Sequence, residues 1–253
     1  MAELRQGDRG SARRVVDLHS HALFGLDDGP RTIDESLEIL RLLRNQGVAD
    51  VFCTAHSWGA ATKYSEHFAQ LQAQIASKGL DVAIHPGMEI FCDPGLVSPI
   101  IRALDLGGYQ TLAGTNRILL EFPRDIHPKA VCVCVKRFLE FSEYRPVIAH
   151  VERYDLLSRS PAVFTVLNRD EIELQINAYS LAQEPKEEVR AFARRLLSEK
   201  LVSFLGTDSH RLDHRPPEAS EGVRYLYESC DPVYADAVAF GNAERVFLQR
   251  PAA

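Results

Sequence analysis

The sequence predicts a single α/β domain whose parallel strands close, or nearly close, into a barrel. Two observations carry this. Apolar runs of strand length alternate with amphipathic helical stretches to give about seven β-then-α units, and such units demand parallel strands with helical crossovers. A chain of 253 residues suits one barrel with a large core better than two domains, and no linker, low-complexity tract or internal repeat divides it.

The elements follow in order. Residues 1–14 are polar, lack the apolar core of a secretory signal and read as a flexible leader, with the barrel over 15–253. Val15 and Val16 start a strand that ends in Asp17-Leu18-His19-Ser20-His21 and runs into the turn-rich Gly25–Pro30. Strand side chains alternate, so His19 and His21 should share a face with Asp17 behind them. Two imidazoles at a strand end begin a transition-metal site; the competing reading is a pair of surface histidines near a turn.

Residues 32–46 carry Ile33, Leu37, Leu40 and Leu43 at helical spacing, with Thr32 or Asp34 as cap and Gly47 as stop. A strand over 48–54 ends at His56. A helix over 63–78 stops at Gly79. A strand over 80–84 turns through His85-Pro86-Gly87 and arrives at Glu89. Helix 94–104, strand 118–120 ending in Glu121, helix 128–143 and strand 146–149 ending in His150 come next. A short helix from Pro161 precedes a strand over 171–176 that ends near Asn177. Helix 186–200 leads to strand 201–205, which ends in Asp208 and His210. The rest reads as helical, with breaks at Pro216-Pro217 and Asp231-Pro232. The apolar faces over 225–248 suit packing on the barrel or on another subunit, so an oligomer is left open.

Composition narrows the function. The hydrophobic share of 45% and charged share of 25% are those of a globular protein. A net charge of -6 argues against a nucleic-acid partner read through a broad basic face, though a small basic pocket for one phosphate is compatible with it. No apolar stretch approaches the roughly 20 residues that span a bilayer, so no membrane insertion is expected. Five cysteines, an odd number without a regular framework, fit a reducing, cytoplasmic compartment. Cys132 and Cys134, two apart on a helix, do not face one another and read as structural thiols.

The strand ends share one chemistry. They carry His19 and His21, His56, Glu89, Glu121, His150, and Asp208 with His210; Asp28 lies in the first loop, and only the strand ending at Asn177 offers no ligand. In a parallel barrel all these ends open on one mouth. Five histidines and four carboxylates exceed what one metal uses and point to two or three divalent ions bridged by carboxylates, since such charges are costly to bury together without cations. Some could instead be capping or turn residues. His67, His85, His127 and His214 read as surface or structural residues.

The pieces Asp17–His21, Leu26-Asp27-Asp28-Gly29-Pro30, Thr54-Ala55-His56, Gly87-Met88-Glu89-Ile90, Leu119-Leu120-Glu121-Phe122-Pro123, Pro146–Arg153 and Gly206–His210 resemble the PHP (polymerase and histidinol phosphatase) family. Asp27–Pro30, His150-Val151-Glu152-Arg153 and Arg215-Pro216-Pro217 make the chain most similar to the family's bacterial metal-dependent tyrosine phosphatases of capsule and exopolysaccharide synthesis. The resemblance covers 15–217, with a weaker match beyond. It implies a distorted (β/α)7 barrel and a trinuclear site, usually supplied with manganese. The ligands it implies are His19, His21, Asp28, His56, Glu89, Glu121, His150, Asp208 and His210. It further implies a phosphotyrosine protein as substrate, a tyrosine autokinase tail being the expected partner. Thr54-Ala55-His56-Ser57 departs from that branch's Thr-Pro-His-His, and the altered loop bears on substrate choice more than on metal binding.

Phosphate ester hydrolysis needs an in-line attacking oxygen and positive charge around the phosphoryl group. Clustered ions supply both by activating water directly, with no phospho-enzyme. No cysteine begins a Cys-x5-Arg loop, which argues against thiol chemistry. Asp208 is the expected catalytic carboxylate, and Arg153 and Arg215 are the expected phosphate clamps, surface salt bridging being their alternative. Phe24, Trp58 and Tyr64 follow ligand-bearing strands and could stack on a phenol or serve packing. Two rival functions remain: a small-molecule phosphoesterase acting on histidinol phosphate or a nucleotide, and a non-catalytic phosphopeptide-binding metalloprotein.

Overall fold

The computed structural model describes residues 14–60, 62–184 and 186–248. The expected leader lies outside these residues up to Arg13; its last member, Arg14, donates to Asp50 Oδ2 at 2.6 Å. Among the described residues there are eight strand segments: β1 Val15–Ser20, β2 Val48–Cys53, β3 Ala83–Pro86, β4 Glu89–Phe91, β5 Arg117–Glu121, β6 Arg145–Ile148, β7 Glu173–Asn177 and β8 Phe204–Gly206. They form two all-parallel sheets, β1-β2-β3 and β4-β5-β6-β7-β8.

Single parallel bridges link the two sheets at both edges, His56 to Glu89 and Ser20 to Ser209. At the second seam, Asp208 N–H donates to His19 O at 2.7 Å and His21 N–H to Ser209 O at 2.8 Å. The strands thus follow one another around a ring of seven positions, because β3 and β4 are two halves of one strand broken at Gly87-Met88. The break is built in. A Cβ on Gly87 would lie 2.9 Å from Leu112 and 3.0 Å from Thr54, and Gly87 N–H donates to the Tyr64 hydroxyl at 3.0 Å. That hydroxyl donates in turn to Cys53 O at 2.6 Å.

This corrects two expectations. The third strand starts at Ala83 and runs through His85-Pro86 rather than turning there, and Glu89 opens a strand half rather than closing one. Tyr64 is a buried pin between β2 and the strand break, unable to stack on a substrate ring.

Helical spacing located most helices to within a few residues. Thr32 caps Ile33–Asn45 by accepting from Glu35 N–H, and Gly79 ends Tyr64–Lys78 in a left-handed conformation. The short helices Ser57–Ala60 and Ala178–Ala182 were not expected, being too brief to show a period.

Inside the ring, Val16, Leu18, Phe52, Leu119, Val147 and Phe204 form one cluster with Ala243 and Phe247. Phe247, on the C-terminal turn Glu244–Leu248, lies 5.2 Å from the Phe52 ring and 5.5 Å from Phe204. The C-terminal segment therefore packs on the barrel, where full burial of each aromatic side chain contributes roughly 1.5–3 kcal/mol. Phe204 opens β8, so this plug fills the end opposite the strand tips.

Candidate metal centre

Leu18 joins the interior cluster, so strict alternation would turn His19 away from it. The register of β1 against β2 shifts between Asp17 and Ser20, and such an irregularity re-aims the following side chains. His19 consequently reaches Gln175 of β7 and Glu89 of β4. Asp17 stands behind His19, accepting from its N–H at 3.2 Å, but its shorter bonds go to the end of β8. It accepts from Thr207 N–H and Oγ1 at 2.8 and 2.6 Å and ties β1 to the end of β8. Burial pushes its carboxyl up to about 6 despite these bonds.

The structure gathers the nine expected ligands into overlapping groups. His21, Asp28, His56 and His210 form one; His19, Glu89 and His150 a second; His19, His21 and Asp208 a third; His56, Glu89 and Glu121 a fourth. Within each group the donor atoms lie within 4.8 Å of one another. Glu89, 1% exposed, belongs to two groups, as His19, His21 and His56 do, and it touches the most imidazoles: Oε1 is 2.7 Å from His150 Nε2, and Oε2 is 3.4, 3.3 and 3.0 Å from His19, His21 and His56. Glu121 closes β5 at the rim, 3.7 Å from His56. Asp28 is the outermost, its side chain 53% exposed, 3.5 Å from His210 and 3.7 Å from His56.

The donor set fits cations. His19 Nδ1 pairs with Gln175 Oε1 at 3.2 Å and His21 Nδ1 with Asp27 Oδ2 at 2.7 Å. Acceptors there hold a proton on each Nδ1 and turn the two Nε2 atoms toward each other, 3.4 Å apart and buried. Two lone pairs so placed repel unless a cation or proton lies between them. His210 repeats the device, its Nδ1 donating to Asp208 O at 2.8 Å, while burial and the neighbouring His21 push it down to about 3. His56 Nδ1 is buried with no hydrogen-bond partner, its 3.0 Å approach to Glu89 being poorly aligned for one. Burial and the Glu89 charge push Glu121 up to about 7, the signature of carboxylates crowded without countercharge.

Asp208 joins two chemistries. Its Oδ1 faces His19 and His21 at 3.7 and 3.6 Å, while Oδ2 accepts from Arg153 at 2.7 Å, Arg215 at 3.3 Å and Asn177 at 3.1 Å. His150, Asp208 and Arg215 hold left-handed backbone, with φ of 31°, 53° and 50°. Non-glycine residues in this region are uncommon and cluster at functional sites.

Sequence reasoning missed the supporting amides and Asp27. β7 lacks a ligand, yet Gln175 orients His19, accepts from His150 N–H at 2.7 Å and donates to Asn177 at 2.9 Å. The signal was the alternation of two amides with Leu174 and Ile176. Of the adjacent aspartates, Asp27 is the buried one; it also accepts from His56 N–H at 2.8 Å and Gly29 N–H at 2.9 Å. Burial alone would raise Asp27, but His21 holds it down at about 2. Asp27→Asn should weaken manganese binding about tenfold to a hundredfold, read by calorimetric titration, because it removes the charge that orients His21.

The other candidates separate cleanly. Phe24 stacks on His67 at 4.5 Å, His85 pairs with Asp50, and His127 caps Pro128–Phe141, whereas Trp58, 67% exposed, stacks on His56 at 4.9 Å. His214 is exposed in the last loop, its ring 6.2 Å from His210. Cys132 and Cys134 both lie on the helix Pro128–Phe141, and no cysteine is disulfide-bonded.

Comparison with known proteins places these features. The family model for capsular polysaccharide synthesis, CpsB/CapC, matches residues 15–248. The tyrosine-protein phosphatase CpsB of Streptococcus agalactiae is 27% identical over 243 residues, covering 92% of this chain and 98% of that protein. The tyrosine-protein phosphatase YwqE of Bacillus subtilis is 27% identical over 217 residues, 84% of each chain. Among solved structures, one of the metal-dependent tyrosine phosphatases YwqE of Bacillus subtilis and CpsB of Streptococcus pneumoniae matches with a TM-score of 0.82. That match is 26% identical and covers 94% of this chain and 96% of the other.

Proposed function

The chain belongs to the CpsB/CapC family of capsular polysaccharide synthesis, and from that premise we propose that it is a metal-dependent protein tyrosine phosphatase. The observation that carries the reading is the position of Asp208, whose Oδ1 faces the histidines and whose Oδ2 accepts from Arg153, with Arg215 spanning both oxygens at 3.4 and 3.3 Å. A phosphoryl group seated at that boundary meets the cations and the guanidiniums together. We propose His19, His21, Asp28, His56, Glu89, Glu121, His150, Asp208 and His210 as ligands of up to three divalent ions, with manganese the expected metal.

When bound, the ions supply an acidified water and positive charge at the phosphoryl oxygens. The chain does the rest. Gln175 and Asp27 hold His19 and His21 with Nε2 pointing inward, and the Asp208 carbonyl holds His210, whose Nε2 meets Arg215 at 3.2 Å. Arg153, 17% exposed, offers a planar fork to the non-bridging phosphate oxygens, and Arg215 closes the same side from the last loop. A phenolate is a good leaving group, so the site can work without a strong acid on the leaving oxygen.

The expected substrate is a phosphotyrosine protein, a tyrosine autokinase tail of polysaccharide synthesis being the first to try, in the cytoplasm. Among the described residues no helix is long and apolar enough to cross a membrane. The test follows phosphate release from a phosphotyrosine peptide, histidinol phosphate and a nucleotide monophosphate, with manganese and then with chelator. Manganese-dependent release chiefly from the peptide, lost on chelation, is the expected result. Release chiefly from a small molecule overturns the substrate class. Silence on all three in metal-loaded protein favours a binding module.

A further inference from the structure

A cavity of about 410 Å³ opens beside Asp208, and its wall includes Arg124, Arg153, Tyr179, Lys186 and Arg215. Its volume exceeds what one phosphate fills, so it admits further parts of a substrate. Arg153 and Arg215 are engaged at Asp208. Arg124 is not: among the described residues no carboxylate forms an ion pair with it, and its side chain is exposed at the wall. The chain sets its place. Arg124 lies three residues beyond Glu121, and its carbonyl accepts from Asp155 N–H at 3.1 Å, which fastens the loop after β5 to the loop that carries Arg153.

The wall is not uniformly basic, for Asp155, Glu184 and Glu218 also line it. Yet at Arg124 the charges of Arg153 and Arg215, together with partial burial, outweigh those of Asp155 and Glu121 and lower its pKa. A third guanidinium crowded by two others and lacking a bonded counterion is a place for an anion.

We propose that Arg124 forms an anion subsite for a second acidic group, carboxylate or phosphate, carried by the substrate next to its phosphotyrosine. The subsite rests on the phosphatase reading above and adds a preference in peptide sequence to it. The phosphate being cleaved sits at the Arg153 and Arg215 side, and the neighbouring acidic group sits against Arg124.

The experiment measures kcat/KM with manganese on phosphotyrosine peptides flanked by glutamate, a second phosphotyrosine, alanine or lysine, for the wild type, Arg124→Ala and Arg124→Glu. The wild type should favour acidic over alanine flanks about fivefold, as a partly exposed charge pair allows. Arg124→Ala should lose that preference, and Arg124→Glu should favour the lysine flank. A reversal of this kind is beyond a variant that is merely damaged. The glutamate and phosphotyrosine arms tell a carboxylate subsite from a phosphate one. An acidic preference unchanged in Arg124→Glu, or absent from the wild type, overturns the subsite while the phosphatase reading stands. Failure of the wild type on every peptide overturns both.

Discussion

Glu89→Gln should reduce manganese-dependent phosphate release by on the order of a thousandfold, since the loss reaches the bound charge that the reaction depends on. Among the described residues Glu89 is the one carboxylate that faces His19, His21, His56 and His150 together, at 2.7–3.4 Å. Burial would by itself raise its pKa, but His19 and the hydrogen bond with His150 hold it well below the ordinary carboxylate range. It therefore stays charged at neutral pH, the form a divalent ion requires. Glutamine keeps the shape and removes the charge. Elemental analysis of the purified variant should show less bound metal. The wild type should gain thermal stability on adding manganese and the variant should not. Full activity and full metal content in Glu89→Gln would remove Glu89 from the centre of the site.

Arg153→Ala should lower kcat by about a hundredfold to a thousandfold, the range for removing one preorganised donor to a transition-state oxygen, while metal content stays at the wild-type level. The split between turnover and metal content follows from geometry: Arg153 touches the Asp208 oxygen that faces away from the histidines. Arg153→Lys should recover little, because an ammonium cannot replace a planar fork. Unchanged turnover in Arg153→Ala would return this arginine to surface salt bridging.

Much of this site can be read locally. Glu121, His150, Asp208 and His210 each follow an apolar run, and the end of such a run is visible in the sequence because burial sets its length. Parallel strands then bring those ends to one mouth, so residues from His19 to His210 could be grouped before any distance was known. The helices were legible for the same reason, since Leu37, Leu40 and Leu43 report their buried face by spacing alone.

Roles set by distant partners were not legible. His19 and Gln175 are 156 residues apart, and nothing near Gln175 shows that its amide fixes an imidazole. Asp27 and Asp28 are neighbours of one residue type, and only the packing of the first loop buries Asp27 against His21 and leaves Asp28 at the rim. Tyr64 and Trp58 were equal candidates until the strand break at Gly87 claimed one hydroxyl and solvent received the other ring. Hydrophobic period and run length are local properties, so the barrel, most of its helices and the strand-end ligands at its mouth can be read along the chain. Hydrogen bonds and charge act through space between residues far apart in the chain, so which of those side chains face one another, which ones orient them and where Arg124 lies emerge only from the folded arrangement.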